Sequence, residues 1–219
     1  MQSSIVIFSG GIDSTVLLYW LHYCNYHVKA LSVYYGQRHR RELDAAEIIA
    51  KTLGVEHQIV DLSSLCPLMA GSSQTSDDIQ VPEGHYADAS MAQTVVPNRN
   101  AIFLAAGVAW AISTGSRIVA YGAHGGDHPI YWDCRPDFIT AQRAVYALAE
   151  PFPVDIYVPF QQFSKAHIVG LGTTLHVPFS ETWSCYRGEE FHCGRCGTCV
   201  ERREAFVLAN IPDPTRYQE

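Results

Sequence analysis

The sequence predicts a doubly wound α/β fold built on a mostly parallel sheet. Short runs rich in β-branched and aromatic residues alternate with longer segments whose apolar residues recur at helical spacing. Strands that alternate with helices pair in parallel through right-handed crossovers, with helices on both faces of the sheet. The 219 residues, 47% of them apolar, are enough for one sizeable core.

Each element has a local signal. Residues 28–34 carry the β-branched and aromatic content of a strand, and Gly54 suits the position just after a helix. Pro97, Asn98 and Ser164 are typical of helix starts. The predicted strands are 5–8, 28–34, 55–62, 117–122 and 154–158. The predicted helices are 16–21, 42–53, 98–113, 135–150, 164–175 and 200–209.

The periodicity fades between residues 63 and 96, where serine, glycine, aspartate and proline are frequent. A connection of this length is unusual in a compact domain and is typical of a lid or a binding loop. Disorder is the competing interpretation, and the sequence favours neither.

Charge and composition exclude several classes of function. The formal net charge of -7 argues against broad binding to nucleic acid, and no polybasic strip occurs. The short basic clusters 38–41 and 202–203 are interpreted as helix ends and solvated faces. No apolar run approaches the length of a membrane span, and no leader pattern precedes the first strand. We therefore expect a cytoplasmic protein with no membrane or nucleic-acid partner.

A loop at the first strand-to-helix junction predicts a phosphate site. Ser9, Gly10, Gly11, Asp13 and Ser14 form the pattern Ser-Gly-Gly-x-Asp-Ser. Paired glycines allow positive φ and close backbone approach, so that successive N–H groups at a helix N-terminus can converge on an anion. No Gly-Lys-Ser/Thr follows, so this is not a Walker A loop. The alternative is an ordinary turn whose aspartate and serine cap the helix.

Four of the seven cysteines lie close together, at Cys185, Cys193, Cys196 and Cys199. Four thiolates saturate tetrahedral zinc and leave no position for water, so we expect a structural Zn²⁺ site. An iron–sulfur cluster is the less favoured alternative. His192 lies within this stretch and is expected to be a neighbour of the metal. Cys24, Cys66 and Cys134 are most simply buried thiols.

Further polar residues follow the predicted strand ends, where ligands bind in open α/β sheets. Taken alone, the stretch around Arg99 is interpreted as an ordinary helix start. If a phosphate loop lies in the same sheet, the Arg99 guanidinium becomes a candidate to bind a phosphate or a carboxylate. Asp127 could accept from the donor edge of a heterocycle, on which Tyr131 or Trp132 could stack. Lys165 at a helix start suggests an anion nearby. The residues expected at this edge are Ser9, Tyr35, Arg38, Arg99, His124 and Asp127.

The loop resembles that of the N-type ATP pyrophosphatases, and the whole chain resembles the QueC family of 7-cyano-7-deazaguanine synthases. The loop alone marks only the superfamily, whereas its combination with Tyr-Gly-Gln-Arg-His and the cysteine cluster is more specific. The matching stretches are 8–15, 35–39, 97–100, 133–135, 163–165, 181–184 and the four cysteines.

The resemblance implies an adenine nucleotide α-hydrolase-like, Rossmann-like fold and a defined ATP-dependent reaction. The carboxylate of 7-carboxy-7-deazaguanine attacks the α-phosphate of ATP, and ammonia displaces AMP to give an amide. A second ATP adenylates the amide oxygen, and loss of AMP leaves the nitrile. ATP, Mg²⁺ and structural Zn²⁺ are the implied cofactors, and a homodimer is implied as the assembly.

The resemblance also implies roles for individual residues. The catalytic set is Ser9, Asp13, Ser14, Arg99 and Lys165. The ATP-binding set is Phe8, Ser9, Gly10, Gly11, Ile12, Asp13, Ser14, Thr15, Tyr35, Gln37 and Arg38. The substrate-binding set is Arg99, Asn100, His124, Asp127, Tyr131, Asp133 and Arg135. The implied domains are 1–178, the ATP pyrophosphatase unit, and 179–219, a metal-binding segment packed on it.

The chain departs from the family pattern in the stretch 127–135, where Ile130 and Trp132 replace a glycine and a proline. These changes are expected to reshape the substrate pocket wall. They leave open a ligase that activates the same acid and couples it to another amine, such as a protein terminus. A non-catalytic nucleotide-binding protein is a weaker alternative, because the loop residues, Arg99 and Lys165 are all present.

Overall fold

The computed structural model describes residues 2–86, 88–127, 129–149 and 152–218. Its strands are β1 (Ser3–Ile7), β2 (His27–Tyr34), β3 (Glu56–Asp61), β4 (Ile118–Ala120) and β5 (Asp155–Tyr157). Its helices are α1 (Ile12–Tyr23), α2 (Arg41–Leu53), α3 (Arg99–Thr114), α4 (Pro136–Ala149), α5 (Lys165–Thr174) and α6 (Gly197–Leu208). All the predicted elements are present; the predicted end of the fourth helix, Glu150, lies outside the described residues.

The strands form one sheet in the order β3-β2-β1-β4-β5, and every pairing is parallel. The strand order reverses between β1 and β4, and such a switch point opens a crevice at the carboxyl edge of an α/β sheet. The central strand pairs on both sides, so that Val6 lies opposite Ala30 in β2 and Ala120 in β4. The predicted doubly wound, parallel fold is confirmed.

Helices cover both faces of the sheet, as predicted. One face carries α1, α2, α5 and α6, which contribute Leu17, Ile49, Ile168 and Phe206 to one buried cluster. The other carries α3 and α4, which pack Leu104 and Ile139 against the strands. The C-terminal helix α6 therefore shares a core with the sheet. Among the described residues, no helix has the length and apolar character needed to cross a bilayer.

Several element boundaries differ from the sequence prediction by a few residues, and three of these differences have identifiable reasons. The first strand begins at Ser3 rather than residue 5, because the completely buried Ser4 pairs with its neighbouring strands despite its polarity. The helix α1 begins directly after Gly11, before its apolar pattern starts. The helix α6 begins at Gly197 because Cys196 is its N-cap, which the periodicity did not reveal.

The connection 63–96 is ordered, with two 3₁₀ segments, Ser63–Met69 and Ala89–Thr94. Within the connection, Ser73 N donates to Gln93 O at 2.8 Å, and the connection is tied to the rest of the chain by Arg38 N, which donates to Gln74 O at 2.9 Å. Some of the polar side chains that made the connection resemble a flexible loop are buried, including Ser72, Ser73 and Thr94. The structure thus favours the ordered alternative, although Ala87 lies outside the described residues.

Two expectations about single residues were wrong. Cys24 is exposed rather than buried, because it lies at the end of α1 where the chain turns toward β2. Arg202 was expected on a solvated face but is completely buried. Its guanidinium donates to Thr182 Oγ1 and to Phe179 O, both at 2.8 Å, and pairs with Asp213.

Replacing Arg202 with alanine should lower the free energy of unfolding by about 3 kcal/mol, because buried acceptors lose their donors and Asp213 loses its partner. Chemical denaturation would measure the change. Arg203→Ala, on the exposed side of the same helix, should change stability by less than about 1 kcal/mol. Equal effects of the two substitutions would contradict the structural role assigned to Arg202.

Candidate active site

The glycine-rich loop is pressed against the start of α2. Gly10 has a φ of +84°, and a Cβ at this position would collide with the carbonyl oxygen of Glu42. A side chain is therefore excluded both by backbone conformation and by space. This close approach fixes the loop relative to α2 and places the first turn of that helix beside the phosphate-binding residues.

Hydroxyl groups organise the loop from within. Ser14 Oγ accepts a hydrogen bond from Ser9 N at 3.2 Å and lies 3.1 Å from Ser9 Oγ. Gly11 N donates to Ser9 Oγ at 3.2 Å. Amides in the first turn of a helix lack intrahelical acceptors and carry the positive end of the helix dipole. The start of α1 is thus arranged to receive an anion, as the sequence predicts.

Lys165 joins the loop to two acidic residues. Its Nζ lies 2.6 Å from Asp13 Oδ2, 3.2 Å from Glu201 Oε2 and 3.4 Å from His124 Nε2. Burial favours a lower pKa for Lys165, but Asp13, Glu201 and Asp127 outweigh it and raise the pKa. Burial would raise the pKa of Asp13, yet Lys165 and His124 hold it below its ordinary value. The lysine is a fixed cation at the loop.

Asp13 Oδ1 is buried and has no hydrogen-bond partner among the described residues. Unpaired buried carboxylate oxygens are rare and point to a missing proton donor or cation. This oxygen is therefore a candidate ligand for a hard cation, which prefers oxygen donors.

His124 and Asp127 form the wall beyond β4. Gly126 N donates to His124 Nδ1 at 3.0 Å, so that the other ring nitrogen, Nε2, faces the charged cluster. That nitrogen is 3.6 Å from Asp127 Oδ1. Asp127 accepts from His124 N and from Tyr86 OH, both at 3.2 Å. His124 is completely buried, so it supports Asp127 and Lys165 from below rather than lining the cavity.

A cavity of about 190 Å³ opens at the carboxyl ends of β1, β2 and β4. Of the residues predicted from sequence, those lining it are Phe8, Ser9, Asp13, Ser14, Tyr35, Gln37, Arg99, Asn100, Asp127 and Tyr131. A second lobe of about 180 Å³ extends toward the C-terminal segment and is lined in part by Gly11, Ile12, Lys165, Trp183 and Tyr186. The two lobes share Ser9, Asp13, Glu42 and Arg99.

Arg99 lies at this junction among tyrosines. Burial favours a lower pKa, but Tyr35, Tyr186 and Tyr131 more than compensate and raise the pKa of Arg99 well above its ordinary value. The guanidinium is permanently charged and faces both lobes. It is placed to bind a phosphate or a carboxylate between them.

Besides His124, five predicted site residues do not line either lobe. Arg38 pairs instead with Asp77 at 3.1 Å and donates to backbone carbonyls of the 63–96 connection. Arg135 lies with its guanidinium 3.7 Å from the centroid of the Trp132 ring. Asp133 accepts from Asn100 N at 3.4 Å, at the start of α3. Gly10 packs on α2, and Thr15 donates to Gly11 O at 2.7 Å within the helix.

Ile130 and Trp132 were expected to reshape the wall of the substrate pocket, and the structure contradicts this expectation. Trp132 is 73% exposed, and Ile130 packs against the hydrophobic core beneath α3 and α4. Neither residue lines the cavity. The reason is the 3₁₀ turn Trp132–Cys134, which directs Tyr131 inward and its neighbour outward. His128 lies outside the described residues.

Three residues of the site were missed from the sequence. Glu42 was noted only within a helix, Glu201 lies in α6 and Tyr186 follows a cysteine. Only Glu42 had a usable signal, because it lies in the first turn of the helix that follows the second strand end. Glu201 and Tyr186 belong to the C-terminal segment. Only the tertiary structure shows that this segment packs beside the glycine-rich loop.

The four predicted cysteines come together as a candidate metal centre. All four are buried, and their sulfur atoms lie within 4.8 Å of one another. Backbone amides of Arg187 and Cys193 donate to Cys185 Sγ at 3.4 and 3.3 Å, and those of Arg195 and Cys196 donate to Cys193 Sγ at similar distances. Such donors stabilise thiolates. His192 instead accepts from Ser184 N and packs on Trp183, which confirms it as a neighbour.

Comparison with known proteins agrees with this architecture. Residues 3–210 match the family model described as queuosine biosynthesis protein QueC. The chain is 51% identical over its full length to a 7-cyano-7-deazaguanine synthase of Sinorhizobium fredii, covering 93% of that protein. It is 48% identical to the enzyme of the same name from Marinobacter nauticus, over 99% of this chain and 98% of the other.

Solved structures support the fold. The NMN synthetase of Francisella tularensis aligns with 95% of this chain and 77% of its own, at a TM-score of 0.53 and 16% identity. A likeness at this identity concerns the fold alone. The family match and the full-length relatives carry the assignment further, and they show that this chain belongs to the QueC family.

Proposed function

We propose that this chain is a 7-cyano-7-deazaguanine synthase that converts 7-carboxy-7-deazaguanine and ammonia to the nitrile at the expense of ATP. The supporting observation is that the hydroxyl-lined loop, Lys165 and Arg99 open onto one cavity whose other walls are largely apolar and aromatic. Relatives that match over 93% and 98% of their own length carry that name, and they favour a nitrile synthase over a ligase that couples the acid to a protein terminus.

The chain's residues have distinct parts in this proposal. The loop amides and the hydroxyls of Ser9 and Ser14 hold the leaving pyrophosphate, with Lys165 at its side. Arg99 orients the reacting carboxylate against the α-phosphorus, so that binding supplies most of the rate enhancement through positioning. Tyr131, Asn100 and Asp127 line the cavity where the deazaguanine ring is placed, and Phe8, Tyr35 and Gln37 line the part assigned to the nucleotide.

Two metals fit the donor groups present. Mg²⁺ neutralises phosphate charge when bound, and Asp13 Oδ1, which has no hydrogen-bond partner among the described residues, suits it as an oxygen ligand. Zn²⁺ suits Cys185, Cys193, Cys196 and Cys199, because four thiolates form a closed tetrahedral site with a structural role. We further propose a cytoplasmic homodimer; the exposed Val145 and Leu148 of α4 offer an apolar face for a second copy.

The test is release of pyrophosphate from ATP, measured with 7-carboxy-7-deazaguanine present and absent, followed by mass spectrometry of the product. We expect release that depends on the acid and, with ammonium present, a product with the mass of the nitrile. ATP hydrolysis that ignores the acid, or a product retaining another amine, would overturn the proposal.

Ser14→Ala should lower the rate of acid-dependent pyrophosphate release by about 100-fold, because one donor to the departing charge is lost. The hydroxyl also accepts from Ser9 N, so the loop loses an internal contact. Ser113→Ala, which removes an exposed hydroxyl of α3, is the matched control and should leave the rate unchanged. An undiminished rate for Ser14→Ala would refute the role of the loop.

A further inference from the structure

Glu42 occupies the junction of the two cavity lobes. It belongs to the first turn of α2, and its carbonyl contacts the glycine-rich loop at Gly10. It lines both lobes, together with Ser9, Asp13 and Arg99. A carboxylate in this position reaches the space between the phosphate loop and the guanidinium, where the acyl group of the substrate is placed by the proposed function.

Among the described residues, and unlike the other acidic groups of the site, the Glu42 carboxylate has no hydrogen-bond or ion-pair partner. Asp13 and Glu201 pair with Lys165, and Asp127 accepts from Tyr86. Within the described part of the chain, no hydrogen bond and no ion pair within 4.0 Å engages the Glu42 side chain. A partly enclosed carboxylate without a partner is available to a ligand.

Charged and titratable groups face Glu42 from every element packed around it. Tyr35 comes from the end of β2, Arg99 from α3 and Tyr186 from the C-terminal segment. Asp13 and Lys165 line the same lobe. Enclosure raises the pKa of Glu42 and outweighs the opposing effect of Arg99, so that the pKa is about 7. A carboxylate of that basicity accepts a proton at neutral pH and returns it to water readily.

We propose that Glu42 is the general base that removes protons from the substrate nitrogen. The role rests on the proposed function, because only a reaction that turns ammonia into a nitrile requires nitrogen to lose all of its protons. Adenylation itself needs no base, since the attacking carboxylate is already ionised.

The protons and electron pairs balance with Glu42 in this role. When ammonia adds to the acyl-adenylate carbon, the new C–N bond leaves nitrogen positively charged, and Glu42 takes one N–H proton as the C–O bond to AMP breaks. AMP departs with that electron pair, which yields the amide. Glu42 then passes its proton to water.

The second half-reaction uses the same group twice. The amide oxygen attacks the α-phosphorus of a second ATP and pyrophosphate leaves, which gives a protonated imidoyl adenylate. Loss of one N–H proton gives the neutral imidate. Glu42 then removes the remaining N–H proton. The electron pair of that N–H bond forms the third bond between carbon and nitrogen as AMP leaves, which gives the nitrile.

The test compares Glu42→Gln with wild type in the conversion of the supplied amide to the nitrile, a reaction that ammonia and its protonation do not enter. Glutamine keeps the size of the side chain and removes the base. We expect nitrile formation to fall about 100-fold, with pyrophosphate release from the acid within about threefold of wild type. Glu47→Gln on the exposed side of the same helix is the matched control and should match wild type in both assays.

The pH profile supplies a second readout. A base must be ionised to act, so the wild-type rate of amide conversion should rise tenfold per pH unit below pH 7 and level off above it. Glu42→Gln should lose this dependence, and Glu42→Asp should keep it at a reduced rate. If Glu42→Gln does not fold, the pH profiles of the wild type and of Glu42→Asp still test whether Glu42 is the base.

The outcomes separate the two proposals. Equal nitrile rates for wild type and Glu42→Gln, or an equal loss of acid adenylation and nitrile formation, would overturn the role of Glu42 and leave the synthase standing. A wild-type enzyme that releases no pyrophosphate in response to the acid would overturn both.

Discussion

Lys165→Met should reduce acid-dependent pyrophosphate release by about 1000-fold. The ammonium group is the only lysine cation at the loop among the described residues, and it is held within 3.2 Å of both Asp13 and Glu201. Methionine keeps the length of the stem but cannot stabilise charge that develops on the departing phosphates. Loss of a preorganised electrostatic partner commonly costs this much.

The same substitution also leaves Asp13 and Glu201 without their shared cation. Lys165 holds the pKa of Asp13 down against burial, so its removal should raise that pKa and weaken any cation bound there. The measurement is steady-state pyrophosphate release together with the apparent Mg²⁺ requirement. Lys51→Met, at an exposed position near the end of α2, should leave both unchanged. A rate of pyrophosphate release near wild type for Lys165→Met would show that Lys165 has no catalytic role.

Loss of the metal proposed for the four-cysteine centre should abolish activity and unfold at least the C-terminal segment. Structural zinc sites contribute about 10 kcal/mol or more of folding free energy, which is comparable to the whole stability of a typical domain. Cys199 lies in α6, two residues before Glu201, and Gly10 O accepts from Trp183 N at 3.0 Å. Release of this segment therefore frees both Lys165 and the glycine-rich loop.

Cys196→Ser and prolonged chelation test this coupling. We expect less than stoichiometric metal by elemental analysis, a thermal transition lowered by 10 °C or more, on the order expected for the loss of several kcal/mol, and no nitrile product. Cys24→Ser alters an exposed thiol outside the centre and should retain metal, stability and rate. A metal-free protein with an unchanged transition would contradict a structural site. Visible absorbance would show an iron–sulfur cluster in place of zinc.

Local sequence signals predicted the fold because they act over short distances. Gly54, predicted to end the second helix, has a φ of +72° just after Leu53. Ser164 caps α5 through a hydrogen bond from His167 N at 3.3 Å. Strand and helix alternation then leaves few topologies for a parallel sheet. Boundaries failed where polar residues such as Ser4 enter a strand, because burial there depends on neighbours remote in sequence.

The position of the candidate site in the fold could be predicted from the sequence, but not which residues belong to it. Ser9, Tyr35, Arg99 and Asp127 were expected together because they follow strand ends or face them, and they do lie together. Arg38 satisfied the same criterion, yet its side chain turns to Asp77. Arg135, expected in the substrate-binding set from the family resemblance, turns to Trp132. Strand position restricts where a residue's Cα lies, whereas rotamer and partner choice decide where a long side chain ends.

The sequence by itself determined the parallel α/β order, the anion-binding loop and the four-thiolate cluster, because each depends on residues near one another in the chain. Only the tertiary structure brought Glu201 to Lys165, Trp183 to the loop and Tyr186 to Arg99. It also left Glu42, between the two lobes, without a hydrogen-bond or ion-pair partner in the described part of the chain. These relations join residues that are far apart in the sequence, such as Gly10 and Trp183. They arise from packing of the C-terminal segment on the sheet edge, which no local pattern encodes.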